Sequence, residues 1–275
     1  MRSKASRKIK KKIVLAYDLG GTKVAAGVVR EDGKIIRQTR VLVDFESGPN
    51  GVLDQLAAIG RLIIDEFPDI KCVGIASAGP LDPAKGLLLD PTNMFTGSTS
   101  WGVIPIATVL KKKLKRKIVL ENDAAAAVLA EKWMGAAKKS NNAIVLTLGT
   151  GVGVGVICNG SLVRAGRGLH PEASHLILGH QDQSAPCGCG NLGCIEAYLS
   201  GKNFAARASS LHLGKDLDAR AIAELARKGD VKALKAFEDY VKILAATLSG
   251  FVALFALDLV VFTGSFADVH DLFLP

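Results

Sequence analysis

Ile13-Val14-Leu15-Ala16-Tyr17-Asp18-Leu19-Gly20-Gly21-Thr22-Lys23 is a short apolar run that breaks into a glycine turn just after an aspartate. Strand-like runs follow at about 24–30 and 34–42, with Glu31-Asp32-Gly33 as a hairpin signal between them. From Ala143 the same order restarts. Ala143 to Leu148 is apolar, Gly149-Thr150-Gly151-Val152-Gly153-Val154-Gly155 is the turn, and Asn159-Gly160 closes a second hairpin after Cys158. A strand, a glycine turn and a hairpin, given twice, predict an α/β fold on a duplicated plan.

Between the two copies, apolar spacing from Val52 to Phe67 is helical, and Cys72 to Ala76 reads as a buried strand ending before Gly79-Pro80. The segment 84–101, rich in Pro, Gly, Thr and Ser, reads as a loop. A helix at 104–114, a buried strand at 117–121 and an Ala-rich helix at 123–135 then alternate. Beyond the second copy the pattern is helical at about 190–209, 217–228 and 230–257, before a buried strand at Leu259 to Phe262 and a turn at Thr263-Gly264-Ser265. The expected organisation is a basic flexible tail at 1–12, an N-terminal α/β domain at 13–122 and a C-terminal α/β domain at 123–275 carrying the cysteine loop.

Nearly half of the 275 residues are hydrophobic, enough for a substantial core. The net charge of +9 is local. Arg2, Lys4, Arg7, Lys8 and Lys10 to Lys12 form one basic run, and Lys111 to Lys113 with Lys115 to Lys117 span another that includes Arg116. Without these thirteen cations the remainder carries −4. The first run reads as a solvated tail and the second as the exposed end of a helix. Neither interleaves aromatics with cations as a single-strand nucleic-acid groove does, so no nucleic-acid partner is expected. No apolar run is long enough to cross a bilayer, and Ile13 to Ala16 is too short for a signal sequence core. A cytoplasmic, reducing location with no membrane partner is expected, and five cysteines, an odd number, argue against a disulfide framework.

Each glycine turn alone has a plain reading as a tight hairpin. Two of them, each directly after a buried strand, point to phosphate binding, because backbone N–H groups in such a turn form an anion-binding concavity. Gly20, Gly21, Thr22 and Lys23 belong to the first, and Gly149, Thr150, Gly151 and Gly153 to the second. Asp18, at a strand end, is placed to hold a hydrated Mg²⁺. Neither turn matches a P-loop or a dinucleotide fingerprint.

Cys187-Gly188-Cys189-Gly190-Asn191-Leu192-Gly193-Cys194 packs three thiols into eight residues. That density suits a Cys₃His zinc site better than a redox pair or free thiols. His170, His175 and His180 are all near enough in sequence to supply the fourth ligand. His212 and His270 read as exposed or hydrogen-bonded residues, and Cys72 and Cys158 as strand core. Glu121-Asn122-Asp123 ends a strand before a helix, where a carboxylate serves equally as a general base or as a helix cap.

These residues carry a family resemblance. Asp18 to Lys23 resembles the first phosphate motif of the actin-like superfamily of sugar kinases and heat-shock ATPases, Leu148 to Gly155 resembles the second, and Gly264 is similar to a remnant of its adenosine motif. Glu172-Ala173-Ser174-His175, followed by Cys-x-Cys-Gly-x-x-Gly-Cys-x-Glu ending at Glu196, resembles the signature of the ROK sugar kinases. The resemblance runs from about residue 13 to the end and implies a two-domain, actin-like (duplicated ribonuclease H-like) sugar-kinase fold.

The resemblance further implies ATP-dependent phosphorylation of a hexose, glucose foremost, to the 6-phosphate. It makes Asp123 the base, Asn122, Glu172, His175 and Glu196 the sugar ligands, and His175, Cys187, Cys189 and Cys194 the ligands of a structural Zn²⁺. Mg²⁺ comes with ATP, and a homo-oligomer is expected. Two departures stand out. Ser174 replaces the family's glycine, beside the sugar pocket, and family members continue for roughly another helix, strand and helix past the turn at Gly264, so the C-terminus is expected to be short. The alternative is a non-catalytic sugar-binding or regulatory protein, or an inactive truncated kinase. A repressor is the lesser form of it, since only about a dozen residues precede the first strand.

Overall fold

A computed structural model describes residues 11–91 and 94–275. These residues form two compact units, one ending at Asp123 and the other beginning at Ala124. Residues 1–10 of the expected basic tail lie outside the described set. Lys11 pairs with Asp32, which Arg30 also grips with two bonds of 2.7 Å across the hairpin turn.

In the first unit, β1 (Ile13–Leu19), β2 (Lys23–Arg30) and β3 (Ile35–Leu42) form an antiparallel meander. Helix α1 (Gly48–Glu66) leads to β4 (Cys72–Ser77), which pairs parallel to β1. The segment expected to be a loop, together with its flanks, forms short antiparallel pairings instead. These are β5 (Leu81–Asp82) with β6 (Leu87–Leu89), β7 (Phe95–Thr96) with β8 (Thr99–Ser100), and β9 (Val103–Ile104) with β6. Two-residue pairings have no periodicity to read, while their Gly, Pro and Thr content is that of turns. Helix α2 (Ile106–Leu114) then carries Lys111 to Lys113 in its last turn, where cations complement the helix dipole. The parallel strand β10 (Lys117–Asn122) completes the sheet order β10-β4-β1-β2-β3. As an edge strand it is only partly buried, with Val119 exposed, where a buried strand was expected.

Helix α3 (Asp123–Met134) begins at the boundary between the units. In the second unit β11 (Ala143–Leu148), β12 (Val152–Cys158) and β13 (Ser161–Leu162) repeat the meander. Helices α4 (Ile195–Leu199), α5 (Gly201–Ala208), α6 (Ala219–Arg227) and α7 (Val231–Phe255) precede β14 (Leu259–Thr263), which pairs parallel to β11. The order β13-β12-β11-β14 matches β3-β2-β1-β4 of the first sheet. The helix expected at 190–209 is interrupted: its start belongs to the cysteine loop, and Ser200 separates α4 from α5, capping α5 through the Asn203 N–H at 3.2 Å.

Each unit has its own core. The first is built on Leu15, Tyr17, Leu19, Leu56 and Ile75. The second packs Phe204, Phe237, Tyr240, Phe266 and Phe273 as an aromatic cluster, with centroids 4.7 Å apart for Phe204–Phe237 and 5.2 Å for Tyr240–Phe266. This cluster pins the segment Ser265–Leu272 that follows β14. Among the described residues no helix is long and apolar enough to cross a membrane.

Candidate functional site

Each glycine turn joins the first two strands of its meander, the first turn being one residue longer than the second. In the first, Leu19 pairs with Val24 and the Gly20 N–H donates to the Lys23 carbonyl at 3.0 Å. In the second, Leu148 pairs with Val152 and the Gly149 N–H donates to the Gly151 carbonyl at 3.0 Å. Asp18, Gly21, Thr22, Lys23 and Thr150 are exposed there. Gly153 and Gly155 are not in the turn. They lie in β12, where their missing side chains make room for Ala124 and Val128 of α3.

The second turn is held from outside at both ends. The Gly201 N–H, at the start of α5, donates to the Gly149 carbonyl at 2.8 Å. Glu196, on α4, accepts from the Val152 N–H through Oε2 at 2.9 Å. Gly264, after β14, has φ 91° and ψ 168°, and a Cβ there would stand 2.3 Å from the Leu148 carbonyl oxygen. Only glycine lets that chain pass so close to the end of β11. A cleft of about 1070 Å³ opens beside the turn, lined by Gly149, Thr150, Lys202, Arg220, Ser265 and Phe266 among others. Sequence reading found Gly149, Thr150 and the neighbouring Gly264. It missed Lys202 and Arg220, which lie in no motif and reach the cleft only through the packing of α5 and α6.

The cysteine loop is tied by backbone to the segment that follows His175. Ile177 bridges to Cys194, Leu178 N–H donates to the Gly193 carbonyl at 2.7 Å, and Ile195 N–H donates to the Leu176 carbonyl at 3.0 Å. Glu172 and His175 share one tight turn, the His175 N–H donating to the Glu172 carbonyl at 3.0 Å, and Ser174 between them is buried. This arrangement gathers His175, Cys187, Cys189 and Cys194, whose donor atoms all lie within 4.8 Å of one another. Cys187 Sγ is 3.5 Å from His175 Nδ1, and Cys189 Sγ is 3.7 Å from Cys194 Sγ. The group holds neither His180, which is exposed, nor His170, which is buried. Cys72 and Cys158 are half buried in their strands.

The thiols themselves argue for a cation. Burial pushes the Cys187 thiol up to about 12 and also raises that of Cys194. Burial acts the same way on Cys189, but the Asn191 N–H and the neighbouring cysteines outweigh it and leave this thiol below its ordinary value. Three such sulfurs would ionise together only with a positive charge between them, which a metal ion held there would supply.

In the first unit, Asn122 ends β10 with its side chain buried, and Asp123 opens α3 exposed to solvent. The parallel strands β4 and β10 keep them in register: Asn122 pairs with Ser77, as Glu121 does with Ala76.

Two five- and four-stranded sheets of matching order, each with a glycine turn between its first two strands, define the actin-like ATPase fold. The chain belongs to the ROK family, whose model matches residues 14–275. A glucokinase of Thermotoga maritima is 31% identical over 272 residues, covering 94% of this chain and 84% of that one. Among solved structures, the ROK hexokinase from Thermus thermophilus superposes with a TM-score of 0.80 at 31% identity, covering 95% of this chain and 86% of its own. A ROK family glucokinase from Streptomyces griseus, solved with glucose and AMPPNP, superposes at 0.76 with 30% identity, covering 94% and 84%.

Proposed function

We propose that the protein transfers the γ-phosphoryl group of ATP to a hydroxyl of a hexose, with glucose the first acceptor to test. The observation that carries this reading is the second glycine turn. It is fixed at both ends, faces a cleft large enough for a nucleotide, and adjoins the His175–cysteine cluster, in a chain whose relatives are sugar kinases.

In this reading the turns at Gly20–Lys23 and Gly149–Gly151 take the phosphates, Gly264 lies on the adenosine side, and Asp18 meets the hydrated Mg²⁺ that ATP brings. Asn122, Glu172, His175 and Glu196 hold the sugar hydroxyls. Asp123 accepts the hydroxyl proton as that oxygen bonds to the γ-phosphorus, and the bond from phosphorus to the β–γ bridging oxygen breaks to release ADP. Phosphoryl transfer asks for little beyond position and charge neutralisation, which is what backbone N–H groups in the turns and an exposed carboxylate offer.

Zinc is the metal that the cluster suits. His175, Cys187, Cys189 and Cys194 would hold it, a set of one imidazole and three thiolate donors of the kind zinc prefers. When bound it supplies structural charge neutralisation, holding the turn of Glu172 and His175 against the cysteine loop. A cytoplasmic location and a homo-oligomer go with the proposal, with neither nucleic acid nor membrane as partner.

The test is coupled ADP release over a panel of glucose, mannose, fructose and N-acetylated hexosamines, with ATP or inorganic polyphosphate as donor. Glucose-dependent ADP release supports the proposal. Metal-loaded, folded protein that turns over none of these sugars overturns it.

A further inference from the structure

Only a few residues separate the last cysteine of the cluster from both supports of the second glycine turn. Cys194 is followed at once by α4, on which Glu196 sits, and then by Ser200 and Gly201. Glu196 touches both features. Its Oε2 accepts from Val152 N–H at 2.9 Å, and its Oε1 lies 3.7 Å from Cys187 Sγ. The space behind the turn is full, since a Cβ on Gly151 would come within 2.7 Å of Glu196 Oε2. The remaining contacts of α4 keep the residue in place: Asn203 Nδ2 donates to the Glu196 carbonyl at 3.0 Å, and Ser200 N–H does so at 3.2 Å. One buried stretch, with Ile195, Ala197, Tyr198 and Leu199 all in the core, thus joins the metal ligands to the turn.

We infer that Glu196 is a positioning residue that ties the shape of the Gly149–Val152 turn to the His175–cysteine cluster, so that metal binding sets affinity for the phosphates of the nucleotide. This rests on the proposed kinase reading of the turn, and it gives Glu196 a task distinct from holding a sugar hydroxyl. A rigid helix of one and a half turns, anchored at Cys194, transmits the constraint without any large motion. Loss of the metal frees Cys187 and Cys194, releases the start of α4, and lets the Val152 N–H lose its acceptor.

The test reads binding and backbone exchange, not turnover. ADP with Mg²⁺ and glucose are titrated separately by calorimetry into the wild-type protein and into Glu196→Ala and Glu196→Gln. Each is studied with metal and after chelation, with amide hydrogen exchange followed at Val152. In the wild type, chelation is expected to weaken ADP binding about tenfold or more and to speed exchange at Val152. Glu196→Ala is expected to do the same with metal present, and chelation then adds little, as for two changes acting on one link. Glu196→Gln, which keeps an acceptor for the Val152 N–H, keeps its ADP affinity within about threefold of wild type, whatever its effect on glucose. Chelated wild type that keeps its ADP affinity and its Val152 protection overturns the inference. So does Glu196→Ala that weakens glucose alone, or a rise in exchange spread over β11 and α7 instead of confined to the turn. Metal-loaded wild type that binds no ADP overturns the kinase reading itself.

Discussion

The carbonyl oxygen of Leu148 lies 2.3 Å from where a Cβ on Gly264 would be. The end of β11 and the turn after β14 are therefore in backbone contact. With φ 91° and ψ 168°, Gly264 also occupies a region essentially restricted to glycine. Gly264→Ala is expected to cost about 1–3 kcal/mol from the backbone alone. A fall in Tm of several degrees and weaker ADP binding, measured by thermal scan and titration, are the expected outcome. An alanine variant with wild-type Tm contradicts the packing described for this turn.

Asp123→Asn keeps the shape of the residue and removes its capacity to take a proton. A loss of kcat of about 10²–10⁴-fold is expected, with KM for the hexose nearly unchanged. Because Asp123 is exposed, the variant is expected to keep the wild-type Tm. Steady-state kinetics beside a thermal scan separate a lost base from a lost fold.

Gly193 is not itself one of the proposed metal donors, yet a Cβ on it would lie 1.7 Å from the Gly179 carbonyl oxygen, and its φ is 74°. Gly193→Ala is expected to force the cysteine loop away from residues 176–179 and lower metal affinity about 10–100-fold with all four donors intact. Chelator competition with a colorimetric zinc indicator measures it.

Tyr198 donates its hydroxyl to Asp182 Oδ2 at 2.6 Å, and the Arg207 guanidinium lies over the tyrosine ring at 4.6 Å. Bonds from Ser184, then from Tyr198, hold the Asp182 carboxyl below its ordinary range, with Arg207 adding to the effect. A depressed carboxyl contributes stability that is fully present above its unfolded value, about pH 4, and lost as pH falls through the folded one. Tyr198→Phe is therefore expected to lower Tm by an amount corresponding to about 1–2 kcal/mol, constant from pH 5 to 8. The gap narrows below about pH 4, a trend that thermal scans across pH can follow.

The sequence showed most where chemistry repeats locally. The glycine turns, the cysteine spacing and the Asn159-Gly160 hairpin, whose residues have φ 49° and 73°, are all properties of a few adjacent residues. It showed least where distant residues meet. Nothing near Glu196 announces that it reaches Val152, because that contact depends on how α4 leaves the cysteine loop. The break at Ser200 was hidden for the opposite reason: apolar spacing continues straight across it, and only the side chain's bond to Asn203 N–H marks the new helix. Lys202 and Arg220 line the cleft through helix packing, which periodicity does not encode.

Surface turns are ordinarily where a protein family gains and loses residues most freely. The turn after β11 is an exception. With the Gly149 carbonyl held by Gly201 and the Val152 N–H held by Glu196, an inserted or deleted residue leaves one of the two tethers unmade. Its length is therefore as constrained as its composition, because both tethers must be met at once.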